Sequence, residues 1–473
     1  MFRLKITIRK GKIKTLVQCS LLLCLSLFLF SSNASSAFPD RLHLLGLLEN
    51  KKYDELSDVL LSFQDSYEEE GGDEKRIYFV LETLANSNPE YEALINEWVE
   101  VQAESYVPYL VRAYYYYGIA WSWRGHRVKR KTSTARLEKM QEFLQLAAAD
   151  ITRASQIKPR LSASDAHAIR VLMMLENNEY KKPTLEESLL IDPGSYLLRS
   201  SYFWSLKPEW GGAPEELERF TKETRVMAEQ YPELNKLLGY SDYIFAESLA
   251  ERGQADAAAI HFDFAIDKGA DHIIYRERGI NYYHLQEYEK ALQDLNQSLH
   301  MWPQDAKTLR WRSHTLQKMG EYEDALSDLD LAARILPRDR YILMARALLS
   351  RKMKRFEQVL SDYEKALFFN QDDADIWFER GMHYSHEFIN FKEAANNFNR
   401  ATELNDSKPQ YWYEYAASLH YSLDCQIVIP LENYISLCNK GRDCRAGELK
   451  WALHARNWLK ENDRCREESG AVH

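Results

Sequence analysis

The stretch Gln286-Glu287-Tyr288-Glu289-Lys290-Ala291-Leu292 recurs four times in altered form. Gly253-Gln254-Ala255-Asp256-Ala257-Ala258-Ala259 precedes it. Gly320-Glu321-Tyr322-Glu323-Asp324-Ala325-Leu326, Lys354-Arg355-Phe356-Glu357-Gln358-Val359-Leu360 and Ile389-Asn390-Phe391-Lys392-Glu393-Ala394-Ala395 follow. The small or branched residue of each, Ala258, Ala291, Ala325, Val359 and Ala394, advances in steps of 33, 34, 34 and 35. Neighbouring positions keep the same period. Phe262, Leu295, Leu329, Tyr363 and Phe398 are large enough to fill a seam between helices, while Ala265, Ser298, Ala332, Ala366 and Ala401 stay small. Gly279 and Gly381 allow two helices to approach closely. Pro303 and Pro337 end the second helices of their units, because proline lacks an amide donor and clashes with the preceding turn. Five units in phase read as helical hairpins, each burying its apolar face only against its neighbours.

Composition agrees with long helices. The chain has 473 residues with only 18 Gly and 13 Pro, about half the usual share, which excludes collagen-like and loop-rich classes. Its formal net charge of −10 argues against general nucleic-acid binding.

A 34-residue period with these positions resembles the tetratricopeptide repeat family. The units run 239–271, 272–305, 306–339, 340–373 and 374–408. The family's tryptophan at the fourth position is replaced by Tyr275, Leu309 and Leu343, and persists as Trp377 and, in a sixth half-unit, Trp412. The resemblance implies an all-α fold, a right-handed α-solenoid of stacked antiparallel hairpins whose first helices line a concave groove. Its groove-facing positions carry Arg276, Lys307, Arg310, Lys318, Arg351 and Lys352 against Glu247, Glu251 and Asp375, with Tyr283, Tyr341 and Phe378 among them. A net-positive groove with aromatic anchors suits an extended peptide or protein segment bearing acidic groups. Charge reversal at Arg276, Arg310 and Arg351 is then expected to abolish capture without lowering the melting temperature.

The N-terminus bears on location. Six basic residues precede the first acid, Asp40, and the apolar run from Leu16 to Phe30 follows them, the pattern of a signal peptide. The small residues from Ser31 to Ala37 place cleavage between Ala37 and Phe38. Fifteen apolar residues fall short of the roughly 20 needed to span a bilayer, so no stable membrane span is expected after cleavage; an uncleaved inner-membrane anchor is the alternative. Four of the six cysteines, Cys425, Cys438, Cys444 and Cys465, then fall in the last 50 residues. An even, clustered set in an exported chain, periplasmic or secreted, reads as disulfides. Helical intervals at 428–439 and 446–460 flanking a short turn bring Cys438 beside Cys444 and Cys425 beside Cys465. A metal site is the rival reading, but CxxC spacing is absent. Residues 409–473 are thus a half-repeat and a stapled helical cap.

Residues 38–238 carry the same physics with the period blurred: a hairpin at 42–56, a helix-rich block at 77–98, the aromatic run from Tyr106 to Trp123, and helices ending at Lys158-Pro159 and Asp192-Pro193. Two blocks, Glu104-Ser105-Tyr106 through Trp121-Ser122-Trp123-Arg124-Gly125-His126 and Leu206-Lys207-Pro208-Glu209-Trp210-Gly211-Gly212, resemble an uncharacterised helical domain of unknown function found in exported bacterial proteins. That resemblance, over roughly 60–220, implies a fold and no activity.

Chemical motifs are few. Arg124, Arg127, Lys129, Arg130 and Lys131 read as a solvated loop before a phosphate grip. His383, His386 and Glu387 share a helix at metal-ligand spacing, yet no further ligands accompany them, so a polar face is the reading. Trp210-Gly211-Gly212 reads as a helix-stopping turn with an aromatic plug. GxSxG, HExxH, GxxxxGK[ST] and GxGxxG are absent. A non-enzymatic scaffold without cofactor or metal is the leading expectation. The alternatives are an envelope carbohydrate or peptidoglycan binder, or an enzyme with an unrecognised site in the N-terminal half; the sequence leaves oligomeric state open.

Overall fold

The computed structural model describes residues 38–86, 88–125 and 132–462. The leader, Ala37, four members of the basic run (Arg127, Lys129, Arg130, Lys131) and Cys465 lie outside them. All regular structure among the described residues is helical. The first block comprises α1 (Arg41–Glu49), α2 (Tyr53–Glu70), α3 (Lys75–Leu84), α4 (Tyr91–Val101), α5 (Tyr106–Arg124), α6 (Thr134–Ile157), α7 (Ser162–Met174), α8 (Asn178–Leu189), α9 (Tyr196–Ser205) and α10 (Pro214–Ala228). Five antiparallel pairs follow: α11 (Tyr240–Glu251) with α12 (Ala255–Lys268), α13 (His272–His284) with α14 (Tyr288–Met301), α15 (Ala306–Met319) with α16 (Tyr322–Ile335), α17 (Arg340–Lys352) with α18 (Val359–Leu367), and α19 (Ala374–His386) with α20 (Phe391–Leu404). Then come α21 (Pro409–Tyr421), α22 (Val428–Asn439) and α23 (Ala446–Asn462).

The repeated residues earn their places. Ala258, Ala291, Ala325, Val359 and Ala394 are completely buried, as are Leu295, Leu329, Tyr363 and Phe398 along the same seam. A Cβ on Gly381 would stand 2.7 Å from the Phe398 ring, so only glycine lets α19 sit this close to α20. The first residue of each quoted stretch, Gly253, Gln286, Gly320, Lys354 and Ile389, has positive φ, a left-handed turn that folds the second helix back on the first. Asp271, Asp305, Asp339 and Asp373, 34 residues apart, each cap the next first helix by accepting backbone N–H bonds, which satisfies donors the helix cannot. The chain is an α-solenoid of antiparallel helical hairpins with a 34-residue period.

Arginine ties the hairpins together. Arg278 donates to both oxygens of Asp294 (2.7 and 2.8 Å) and to Asp263 on the preceding unit (2.7 Å). Arg312 repeats this with Asp328 and Asn296, and Arg346 with Asp362 and Asp330. In the first block Arg112 holds Asp150 and Asn96 in the same way. The degenerate half is therefore built on the same device.

The first block closes on the loops between later units. Phe38 stacks on Phe79 (4.7 Å) and packs against Trp302 (5.0 Å). Arg41 donates to Glu82 (2.7 Å) and the Pro303 carbonyl, while Trp302 donates to Glu82 (2.9 Å). Arg136 donates to the Phe369 carbonyl and to Asp372, beneath Trp123 stacked edge-on against Phe369. At the other end, a Cys438–Cys444 disulfide closes the α22–α23 turn, and Cys425 is disulfide-bonded as well. The expected Cys425–Cys465 pairing falls on a residue outside those described. Among the described residues no helix is long and apolar enough to cross a membrane.

Candidate functional site

The first helices α13, α15 and α17 bring three of the sequence-picked residues together. Arg310 lies over the Trp311 ring (4.9 Å) and the Tyr341 ring (5.3 Å) and forms no ion pair among the described residues. Tyr283 reaches the same patch, 5.5 Å from Trp311. Trp311 and His314, which sequence reasoning passed over, complete it: burial, with Arg310 and Lys318 nearby, pushes His314 down to about 4. Lys307 and Lys318 stand exposed beside this positive centre.

The other cations are committed elsewhere, a correction to the expected groove. Arg276 is only 8% exposed and donates to Glu277 (2.9 Å) and Asp305 (3.3 Å). Arg351 donates to Glu379 (3.1 Å). Lys352 turns to the Tyr322 ring and hydroxyl on α16. Glu277 and Glu379 each lie one residue beyond the positions counted as groove-facing, and a helix brings them to the same face. Among the described residues Arg276 and Arg351 are thus charge-balanced, while Arg310 has no ion pair.

A cleft of about 630 Å³ lies between α19, α21 and α23. Phe378 reaches it, stacked on Tyr411 (4.7 Å), and Tyr413 meets Trp451 edge-on (5.5 Å). Glu448 accepts from Arg445 (3.1 Å) and Tyr434 (3.3 Å). Among the described residues Glu414 accepts from Gln410 alone (2.8 Å); burial, then Glu448, raises its pKa above its ordinary value. The cap hairpin supplies one wall, so the site depends on a part of the chain whose sequence carries no repeat signal.

The expected polar face at 383–387 splits. His383 is fully buried among Phe356, Tyr363 and Phe388 with both ring nitrogens unpartnered, and burial lowers its pKa; His386 is exposed and lines the cleft. Among the described residues no group of three or more His, Cys, Asp or Glu is placed to hold a metal. The Trp210-Gly211-Gly212 turn follows a short 3-10 helix, with Gly211 at φ 77°, and a Cβ on Gly212 would collide with the Leu206 carbonyl.

A family described as a domain of unknown function (DUF4034) matches residues 40–181. The match begins earlier than the expected 60 and ends before the Pro208–Gly212 turn. No curated protein matches the chain. Similar solved structures include YrrB, described as a tetratricopeptide protein with an unusual peptide-binding site (19% identity over 41% of this chain and 97% of that one, TM-score 0.35). The C-terminal part of a tetratricopeptide-containing protein from Cytophaga hutchinsonii is similar over 47% of this chain and 90% of its own (17% identity, TM-score 0.40). MamA from Desulfovibrio magneticus is similar over 37% and 97% (16% identity, TM-score 0.33).

Proposed function

We propose that the protein is an exported, non-enzymatic scaffold that holds an extended segment of a partner protein or peptide along its concave face. The observation that carries this reading is the open, aromatic-walled cleft between α19, α21 and α23. Such a cleft takes a bulky side chain, and the positive patch at Arg310, with Lys307 and Lys318, takes acidic groups further along the same segment. Export rests on the leader and on cysteines held as disulfides, which persist in oxidising compartments.

Affinity capture from crosslinked cells tests it, with the wild-type chain beside Arg310→Glu and Tyr413→Ala. A partner enriched by wild type and recovered at least about tenfold less by each variant supports the scaffold; each lost contact then contributes about 1.4 kcal/mol or more. Equal recovery from all three chains removes the reading.

A further inference from the structure

Arg170, on α7, is a half-buried cation without a carboxylate partner. Its Nε donates to the Ser201 hydroxyl on α9 (2.9 Å) and its Nη1 to the Tyr78 hydroxyl on α3 (2.6 Å). No ion pair forms to it among the described residues. The nearby carboxylates have their own donors: Glu82 takes Arg41 and Trp302, Asp271 takes the hydroxyls of Tyr196 (2.7 Å) and Tyr240 (2.6 Å), and Glu74 takes two serines and a backbone N–H. A charge partly withdrawn from water without a counter-charge is costly, so such a cation is normally paired.

The hydrogen-bond inventory points the same way. The Tyr78 and Ser201 oxygens accept from Arg170, which leaves each O–H to donate, and among the described residues no acceptor receives either. His167 stands one turn earlier on the same face of α7, fully buried with both ring nitrogens unpartnered, stacked on Tyr114 (3.7 Å) and edge-on to Tyr117 (4.9 Å). Tyr117 continues to Trp121 (6.3 Å), which meets Trp210 (5.8 Å), and Trp121 is 37% exposed. This aromatic path leads from the interior to the surface and joins the two sequence blocks that resemble the domain of unknown function.

We propose that the inner face of α7, where it meets α3 and α9, binds a small oxyanion, with Arg170 as counter-charge and the hydroxyls of Tyr78 and Ser201 as donors. Donors converge there without acceptors, and an anion supplies both the acceptors and the missing negative charge. The site is separate from the concave groove, and neither depends on the other.

The probes are inorganic phosphate and acetate, added to the full chain at constant ionic strength against chloride, with melting temperature and titration calorimetry as readouts. A saturable rise above chloride is expected with at least one anion, and which one responds separates a phosphate ligand from a carboxylate. Arg170→Gln is expected to weaken the response at least tenfold. Ser201→Ala and Tyr78→Phe, which keep the charge and remove one hydroxyl each, are expected to weaken it several-fold and serve as the decisive pair should Arg170→Gln fail to fold. No response beyond chloride from wild type, or unchanged binding in both hydroxyl variants, overturns the proposal.

Discussion

Glu74 sits just ahead of α3 with its carboxylate enclosed between the starts of α7 and α9. It accepts from the hydroxyls of Ser162 (2.7 Å) and Ser195 (2.8 Å) and from the Leu197 N–H (3.0 Å). Burial outweighs these donors and, with Asp192 nearby, pushes its pKa up to about 7 from an ordinary 4.5. The folded chain therefore keeps a proton that the unfolded chain has released. The stability this gives is fully present below pH 4.5 and is lost as pH rises towards 7. Glu74→Gln removes the titration. Urea unfolding is expected to show wild type losing about 3 kcal/mol relative to Glu74→Gln between those limits. Parallel pH profiles would mean that the carboxylate stays ionised in the fold.

At the scale of the element, the arginine ladder makes each hairpin dependent on the one before it. Arg346 joins Asp362 on its own second helix to Asp330 on the preceding one, and Asp362 is 1% exposed. Removing one partner strands a buried charge, which costs more than the pair contributes, so Arg346→Ala is expected to lower unfolding stability by about 3 kcal/mol. The double variant Arg346→Met with Asp362→Leu removes both charges at similar volume and is expected to recover most of that loss. Urea denaturation of the three chains checks both statements. A double variant no better than Arg346→Ala would mean that the loss comes from the missing hydrogen bonds to the neighbouring helices and not from a stranded charge.

For the whole molecule, the contact that matters most is the clasp of the first block on the inter-unit loops. Trp302 is almost fully buried against Phe38, Phe79 and Tyr78, with His272 stacked on its ring at 4.7 Å. Trp302→Ala removes this anchor, a change of about 3 to 5 kcal/mol for a buried aromatic. The variant is expected to keep its helical circular dichroism, to show a larger radius of gyration in small-angle scattering, and to be cut by protease near residues 38–50 and 302–306. An unchanged radius and cleavage pattern would assign the closure to the Arg136–Phe369 contact instead. The clasp also alters how groove variants are read. Arg276 lies behind it on Asp305, so reversing its charge is now expected to lower the melting temperature, against the sequence-based expectation.

The sequence by itself determined the hairpins. A 34-residue period in Ala325 and its counterparts, in the large seam residues and in glycine at close approaches is local information, because each unit meets only its neighbours and the same side chain must fit the same space every time. The arginine ladder and the aspartate caps were legible too, since Arg278, Arg312 and Arg346 and Asp271, Asp305 and Asp339 keep that period, but polar residues were read for the groove and not for the joints. The tertiary structure alone decided which cations remain free, because Arg276 is neutralised by Asp305, the cap of the next first helix, and Arg351 by Glu379, 28 residues away. It alone decided that the cap hairpin walls a cleft and that Tyr78, Arg170 and Ser201 converge from three helices. No period links those residues; distance in the chain is erased only when the non-repeating half folds back on itself.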